Sequence, residues 1–254
     1  MHQIPRNSVL QLSGLLLAAA LATPAHAACK DPLRAQVNWS GCDLHGAQLA
    51  GAELRQASLS SANLEGANLA KASLTGADLG ASNLKTANLS EARAENARFV
   101  TANLSNANLR QANLPGARFD RATLVDADFT QASLEKANFY NANATQARMT
   151  GARLAGATAE LANFSRANLD EADLSGAQFL NSNLEKASFR GANLTKAKLD
   201  GAQLSGADFT NANLENANLS NAELTGAKFD GANLGNATWN NHKRCRAGSV
   251  GTCQ

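Results

Sequence analysis

A five-residue repeat runs through most of this chain and constrains its fold more than any other feature. Between Val37 and Asn241 the unit occurs forty-one times without an insertion or a deletion. Leu or Phe usually occupies the centre of the unit, and Ala usually lies two positions before it, as in Ala-Asn-Leu-Glu-Gly at residues 62–66. Repeats this regular are typical of solenoids, in which each unit packs mainly against its neighbours. They specify a fold and leave the activity open.

The spacing of the two apolar positions predicts extended backbone and excludes a helix. Residues two apart in a strand point to the same side, so the Ala and the centre both face inward and the polar residue between them faces solvent. The position two after the centre is Gly in fourteen units and Asn in nine. Both residues tolerate positive φ in a tight turn. A corner is therefore predicted every five residues, and four corners close a coil of twenty residues.

Stacked coils of this kind form a rod with an apolar interior. With paired strands about 4.8 Å apart, ten coils make a rod about 48 Å long. All nine phenylalanines occupy centres, so we expect them in the core. Four of them are core centres on one face of the rod, which Ala159 interrupts: Phe99, Phe119, Phe139 and Phe179.

The runs Ala-Asn-Leu-x-x and Ala-Asp-Leu-x-x resemble the repeats of the pentapeptide-repeat proteins, over about four-fifths of the chain. The resemblance implies an all-β fold, a right-handed quadrilateral β-helix with Leu or Phe and Ala inside. Members of this family do not share one activity. The resemblance therefore implies neither catalytic residues nor a cofactor.

Residues 1–27 have the features of a secretory signal peptide. Arg6 supplies a positive charge, an apolar run follows, and Ala25-His26-Ala27 fits a small-x-small cleavage site. We therefore expect a periplasmic or secreted protein, with no stable membrane insertion because the apolar run is too short to remain as an anchor. Lipid attachment at Cys29 is an alternative, disfavoured because His26 stands where a large aliphatic residue is expected.

The ends of the rod are predicted to be capped. An open β-helix exposes unpaired backbone and apolar core at each end. Trp39 and Trp239 are the centres of the first and last units and lie 200 residues apart on the same face. Residues 28–36 and 242–254 are the expected caps around a repeat domain at residues 37–241.

The four cysteines lie in these end regions and are predicted to form disulfides. A rod about 48 Å long cannot bring its two ends within the roughly 7 Å between α-carbons that a disulfide allows. The pairing is therefore Cys29 with Cys42 and Cys245 with Cys253, in the oxidising compartment that export supplies. Zinc sites that include His45 and His242 are the alternative. They are disfavoured because Cys42 occupies an inward position and His45 an outward one.

Charge and residue inventory exclude several classes of function. The formal net charge is +2, and residues 1–27 contribute one Arg to it. This balance provides no concentrated basic surface for nucleic acid or an anionic membrane. His45 and His242, the histidines outside the signal peptide, lie at opposite ends of the rod, so neither can act as a base beside the other. The sequence predicts no enzyme and no metal site.

One face carries most of the large apolar side chains that the repeat places outside. Val100, Tyr140 and Leu180 follow centres on the face of the two tryptophans, and Leu161 lies at its corner. Acidic residues alternate with them along the rod. These four residues are a candidate partner-binding strip, although scattered apolar residues are common on protein surfaces and self-association is an alternative.

One coil has a weak interior, which bears on the assignment of Leu161. Ala144 and Ala159 are both centres of that coil, with Met149 and Leu154 as the other two. A void there would cost on the order of 24 cal/mol per Å³. If Leu161 folds inward it fills the void and leaves the strip.

The favoured function is a non-enzymatic exported binding or structural module, a rigid rod that presents side chains to a protein or a cell-envelope component. The alternative comes from the family resemblance: a DNA-mimicking inhibitor or protector of type II topoisomerases such as gyrase, which uses a strongly acidic rod. Export and near-zero charge disfavour it. Several arginines also interrupt the outward acidic columns: Arg98, Arg118, Arg121, Arg148 and Arg153.

Overall fold

Residues 29–254, which this computed structural model describes, form a β-helix held together by single-residue bridges. Within this range there is no helix and no strand longer than one bridged residue. The predicted signal peptide lies outside the described residues. Each polar residue before a centre pairs in parallel with the residue twenty positions later, from Asn38 with Ser58 to Asn218 with Thr238. Four five-residue units therefore make one coil.

The coil has four faces, which we number in chain order by their centres. Face 1 runs from Trp39 to Trp239, face 2 from Leu44 to Leu224, face 3 from Leu49 to Phe229, and face 4 from Leu54 to Leu234, in steps of twenty residues.

Backbone hydrogen bonds between coils repeat with the same period. The N–H of Leu64 donates to the carbonyl of Asn83 in the next coil at 2.7 Å, and the N–H of Asn63 donates to Cys42 in the preceding coil at 2.9 Å. Within the unit, the N–H of Ala67 donates to the carbonyl of Leu64 at 3.0 Å. The interior coils thus pair most of their backbone groups without long strands.

Asparagine side chains reinforce this pattern on the outside. The Oδ1 atom of Asn63 accepts the N–H of Glu65 at 3.3 Å, which fixes the turn after the centre. The Nδ2 atom of Asn83 donates to the same oxygen from the next coil at 3.2 Å. This double use of the amide gives a physical reason for Asn at the outward position.

The corners occupy the position that the sequence predicts. Every residue two after a centre, from Gly41 to Asn236, has φ between +53° and +70°. Glycine and asparagine favour this left-handed region, yet the coil imposes it on Lys, Glu, Thr and Leu as well. The corners also begin before the repeat, at Gln36 with φ +60°, and end at His242 with φ +63° in place of Asn241.

Ala81 offers a test of this corner conformation, because it adopts φ +55° without a long side chain. We expect Ala81→Gly to raise the free energy of unfolding by about 0.5 to 1 kcal/mol, since the left-handed region penalises a β-carbon. Ala155→Gly is the matched control. That residue has no positive φ, so its replacement should lower stability by about the same amount. Urea unfolding measures both changes, and equal signs would contradict the corner assignment.

The core is a continuous column of Ala, Leu and Phe side chains. Phe119 stacks between Phe99 and Phe139, with ring centroids 4.9 and 5.0 Å apart and interplanar angles of 6° and 9°. The ring of Phe129 meets Phe119 edge-on at 5.7 Å. Phe179, on the same face, is also buried.

The weak coil is repaired by a residue other than Leu161. The backbone of Leu161 lies in the left-handed region with φ +59°, and the residue is 47% exposed. The suggestion that Leu161 folds inward is therefore wrong. A corner residue in this conformation points its side chain away from the core.

Phe164 fills the space beside Ala159 instead. Its ring meets Phe139 at 5.7 Å and Phe179 at 5.5 Å, both nearly edge-on. Because Phe139 and Phe179 lie one coil before and one coil after Ala159, Phe164 bridges the gap left by the small centre. Phe164 on face 2 thus fills the space that the small centre Ala159 leaves on face 1.

Both ends of the rod carry a disulfide. Cys29 is bonded to Cys42 and Cys245 to Cys253, with α-carbons 5.5 and 4.8 Å apart. Residues 242–254, which we call the C-terminal cap, turn back and pair antiparallel with the last coil through Arg244 with Thr238.

The two tryptophans differ in their surroundings. Trp39 is buried, and its Nε1 atom has no hydrogen-bond partner in the described part of the chain. Trp239 is partly buried and packs against Phe229 with ring centroids 5.0 Å apart.

Candidate partner-binding surface

The apolar strip lies on the outside of face 1 and on the corner between faces 1 and 2. Tyr140 is 39% exposed and Leu161 is 47% exposed, whereas Val100 and Leu180 are half-buried. The regular coil holds all four on backbone that is bonded to the coils on either side. At the corner, the N–H of Leu161 donates to the carbonyl of Leu180 at 3.0 Å.

The structure brings together three of the four residues. Tyr140, Leu161 and Leu180 lie on three successive coils, so they span about 10 Å along the rod. Val100 lies two coils before Tyr140, with Asp120 on the coil between them. The strip is therefore a compact group of three with one outlier.

A polar cluster separates Val100 from the group of three. The guanidinium of Arg118 binds the carboxylate of Asp120 in a bidentate manner, with Nε–Oδ2 3.1 Å and Nη2–Oδ1 3.2 Å. Asn138 also donates to Asp120, and it accepts the N–H of Tyr140 at 2.8 Å. The hydrogen bond and the charge of Asp120 raise the pKa of Arg118. The sequence pattern Arg-x-Asp at outward positions is the signal for this cluster, which sequence reasoning missed.

Several acidic side chains elsewhere on the rod are paired with arginines. Asp128 on face 3 is buried between two of them: its Oδ2 atom lies 3.3 Å from Arg110 and 3.1 Å from Arg148. Burial alone raises the pKa of Asp128. Hydrogen bonds from Thr130 and Arg110, together with the charge of Arg148, outweigh that effect and lower the pKa below its ordinary value.

This pairing predicts a pH-dependent contribution to stability. A lowered pKa in the folded state stabilises the fold above the unfolded-state pKa of about 3.9, and the contribution is lost as pH falls through the folded-state pKa. We expect Asp128→Asn to cost about 1 to 3 kcal/mol at neutral pH and progressively less at acidic pH. Urea unfolding of both proteins across this pH range measures the difference. A cost independent of pH would contradict the assignment.

Chemical groups for catalysis or metal binding are not clustered among residues 29–254. His45 and His242 are exposed at opposite ends of the rod. The described residues include no group of three or more His, Cys, Asp or Glu side chains placed to hold a metal ion. A shallow concavity near the first corner is lined by Ala35, Gln36, Arg55, Gln56 and Thr75. Among the residues described, no helix is long and apolar enough to cross a bilayer.

Comparison with known families agrees with this geometry. The model for pentapeptide repeats matches residues 35–66, 67–106, 102–139 and 122–158, and the model for a pentapeptide repeat region matches residues 160–239. The chain belongs to the pentapeptide-repeat family. Pentapeptide-repeat proteins are generally structural or binding proteins. The family and its solved members also identify the fold as a right-handed β-helix.

Solved pentapeptide-repeat proteins resemble this chain over most of the rod. HetL from the cyanobacterium Nostoc sp. strain PCC 7120, which is involved in heterocyst differentiation regulation, is 32% identical. The match covers 82% of this chain and 93% of HetL with a TM-score of 0.66. QnrB1, a plasmid-mediated fluoroquinolone resistance protein, is 19% identical over 77% of this chain and 90% of its own, with a TM-score of 0.38. A search of curated proteins gives no significant match.

Proposed function

We propose that this pentapeptide-repeat protein is a non-enzymatic exported binding module that presents the apolar strip to another protein or to a cell-envelope component. The observation that carries the proposal is the exposure of Tyr140 and Leu161 on adjacent coils beside Leu180. Large apolar side chains that share one rigid site are the groups that most often supply binding energy.

Rigidity of the backbone supports a binding role. Each residue of the strip lies in a coil that is bonded to both neighbouring coils, so little conformational entropy is lost when a partner binds. The Asp120–Arg118 pair and Glu160 supply a polar margin around the apolar group. An apolar centre with a polar rim is the usual arrangement of a protein interface.

Export is the second part of the proposal, and two features support it. Residues 1–27 have the pattern of a signal peptide. Two disulfides hold the ends of the rod, and such bonds persist in oxidising compartments. Cell fractionation of the full chain, with its Arg6→Glu variant for comparison, measures whether the protein leaves the cytoplasm.

Affinity capture from cell-envelope extract tests the binding role. The unmodified protein is compared with a triple variant, Tyr140→Ser, Leu161→Ser and Leu180→Ser. A quadruple variant that also carries Val100→Ser shows whether Val100 contributes to binding. Val125→Ser is the matched control, because Val125 occupies the equivalent outward position on face 2. Circular dichroism establishes that each variant is folded.

We expect the unmodified protein and the Val125→Ser control to retain one partner that the triple variant loses at least tenfold. This loss corresponds to truncation of two or three contact residues. Equal capture by the triple variant and the control would remove the strip from the function and leave a structural rod.

A further inference from the structure

The C-terminal cap covers only half of the end of the rod. Arg244 pairs antiparallel with Thr238 on face 1, and Val250 pairs antiparallel with Asn233 on face 4. No described residue pairs with the outer edge of the last coil on faces 2 and 3. Gly251 of the cap lies beside Phe229 and Gly231, so we call only the segment before them, residues 222–228, the open half-end.

The open half-end leaves apolar and polar groups uncompensated. Leu224 and Ala227 are partly exposed, although their counterparts in the preceding coil, Leu204 and Ala207, are fully buried. The N–H of Leu204 donates to Glu223 at 2.8 Å.

The equivalent backbone groups of the last coil lack such partners. Within residues 29–254, the N–H groups of Leu224 and Phe229 and the carbonyls of Ala222 and Ala227 have no backbone partner. An edge of this kind is a template for another strand.

The outer edge of the C-terminal cap is also free. Cys245 donates to Ala237 at 2.8 Å, and Trp239 donates to Lys243 at 2.7 Å, so residues 243 and 245 turn their backbone groups toward the rod. Arg244 between them turns its N–H and carbonyl away, where no described residue binds them.

The second arm of the cap has the same arrangement. Leu234 donates to Ser249 and Gly251 donates to Ala232, which leaves the N–H and carbonyl of Val250 free within the described chain. Val250 is 56% exposed. Both arms of the cap therefore present one unpaired residue on the side away from the rod.

We infer that this end joins a second copy of the same chain, so that each C-terminal cap completes the open half-end of the other. The twofold axis is perpendicular to the rod and passes through the corner between faces 1 and 2 and the opposite corner. Rotation about this axis places faces 2 and 3 of one copy over faces 1 and 4 of the other. The two half-caps then fill one shared layer, and the interface is isologous and closed.

The strand directions and hydrogen bonds agree with this arrangement. In each copy, the cap strands run antiparallel to the last coil of the same copy. After the twofold rotation, the last coil of the second copy also runs antiparallel to the last coil of the first. Each cap strand is therefore parallel to the segment of the second copy that it covers.

Parallel pairing of Arg244 with Glu223 of the second copy requires two backbone bonds. Arg244 donates to the carbonyl of Ala222, and Leu224 donates to the carbonyl of Arg244. Among residues 29–254, none of these groups has a backbone partner in the single chain. In the same way, Val250 pairs with Lys228 of the second copy. Val250 donates to the carbonyl of Ala227, and Phe229 donates to the carbonyl of Val250.

Charge favours the same contact. The twofold arrangement places the guanidinium of Arg244 beside the carboxylate of Glu223 from the second copy, twice in each dimer. Arg244 makes no ion pair within the described chain. Glu223 bonds only to its neighbour Thr225. The dimer therefore supplies each with an opposite charge.

A charge swap tests the inference with the purified, disulfide-bonded protein. Sedimentation velocity over a wide concentration range is expected to show a reversible dimer of the unmodified chain. Arg244→Glu and Glu223→Arg should each raise the dimer dissociation constant about tenfold or more, since each reverses the charge in two contacts. The double variant Arg244→Glu, Glu223→Arg should restore it. Lys198→Glu, which reverses a charge on face 1 away from the end, is the control and should leave it unchanged.

Val250→Pro supplies an independent readout. The N–H of Val250 has no backbone partner in the described part of the chain. Proline removes that donor and weakens the dimer while the cap disulfide remains. A monomer at all concentrations, or a dimer unaffected by both single charge reversals and by Val250→Pro, would overturn the inference. None of the residues substituted in this test belongs to the apolar strip. A protein that does not dimerise would leave the proposed binding role intact, and a failed capture experiment would leave the dimer intact.

Discussion

Replacement of Phe119 by alanine is expected to lower the free energy of unfolding by about 3 to 5 kcal/mol. The ring is fully buried, stacks on Phe99 and Phe139, and meets Phe129 edge-on. Its removal opens a cavity in the middle of the rod, where neighbouring coils are fixed by backbone hydrogen bonds and cannot collapse into the space. Thermal and urea unfolding measure the loss, and circular dichroism should show an unchanged β signal below the transition.

Phe119→Leu is the matched control for this experiment. Leucine is the usual centre of the repeat, so the coil accommodates its backbone and most of its volume. We expect a cost of about 1.5 kcal/mol or less. An alanine variant as stable as the leucine variant would show that the ring does not lie in the core.

Loss of the C-terminal disulfide is expected to loosen the cap by about 2 to 3 kcal/mol. Cys245 and Cys253 are separated by eight residues, and the chain-entropy effect of closing a loop of that length is of this size. In the variant Cys245→Ser, Cys253→Ser, the amides of Leu234 and Trp239 should exchange hydrogen faster by one to two orders of magnitude. Both amides donate to carbonyls of the cap.

The disulfide at the other end provides the control. In Cys29→Ser, Cys42→Ala, position 42 receives the alanine that most units carry there. The amides of Leu234 and Trp239 should then exchange as in the unmodified protein. Equal acceleration in both variants would mean that the ends unfold together, and no acceleration in the first would mean that hydrogen bonds alone hold the cap.

Sequence reasoning succeeded for features that repeat with the five-residue period. The inward direction of Phe119 and the positive φ at Gly41 both follow from position within the unit. Every unit repeats the same local pattern, so the prediction did not depend on contacts between distant residues. The family match confirms the fold that this pattern predicts.

Predictions failed where one unit depends on another. The gap beside Ala159 is filled by Phe164 on the neighbouring face and not by Leu161. Position in the repeat does not reveal which of several neighbours fills a gap. The half-covered C-terminal end was missed for the same reason, because the return path of the cap depends on antiparallel contacts outside the repeat.

The sequence by itself determined the β-helix, its inward and outward positions, its corners and the location of its end regions, because each is a property of a five-residue unit. Only the tertiary structure decided which apolar residues lie together on the surface. It also decided that the Asp120–Arg118 pair separates Val100 from the other three residues of the strip, and which backbone edges at the C-terminal end lack partners among the described residues. These features depend on distances between coils and on side-chain directions at single sites, and the regular repeat carries no information about either.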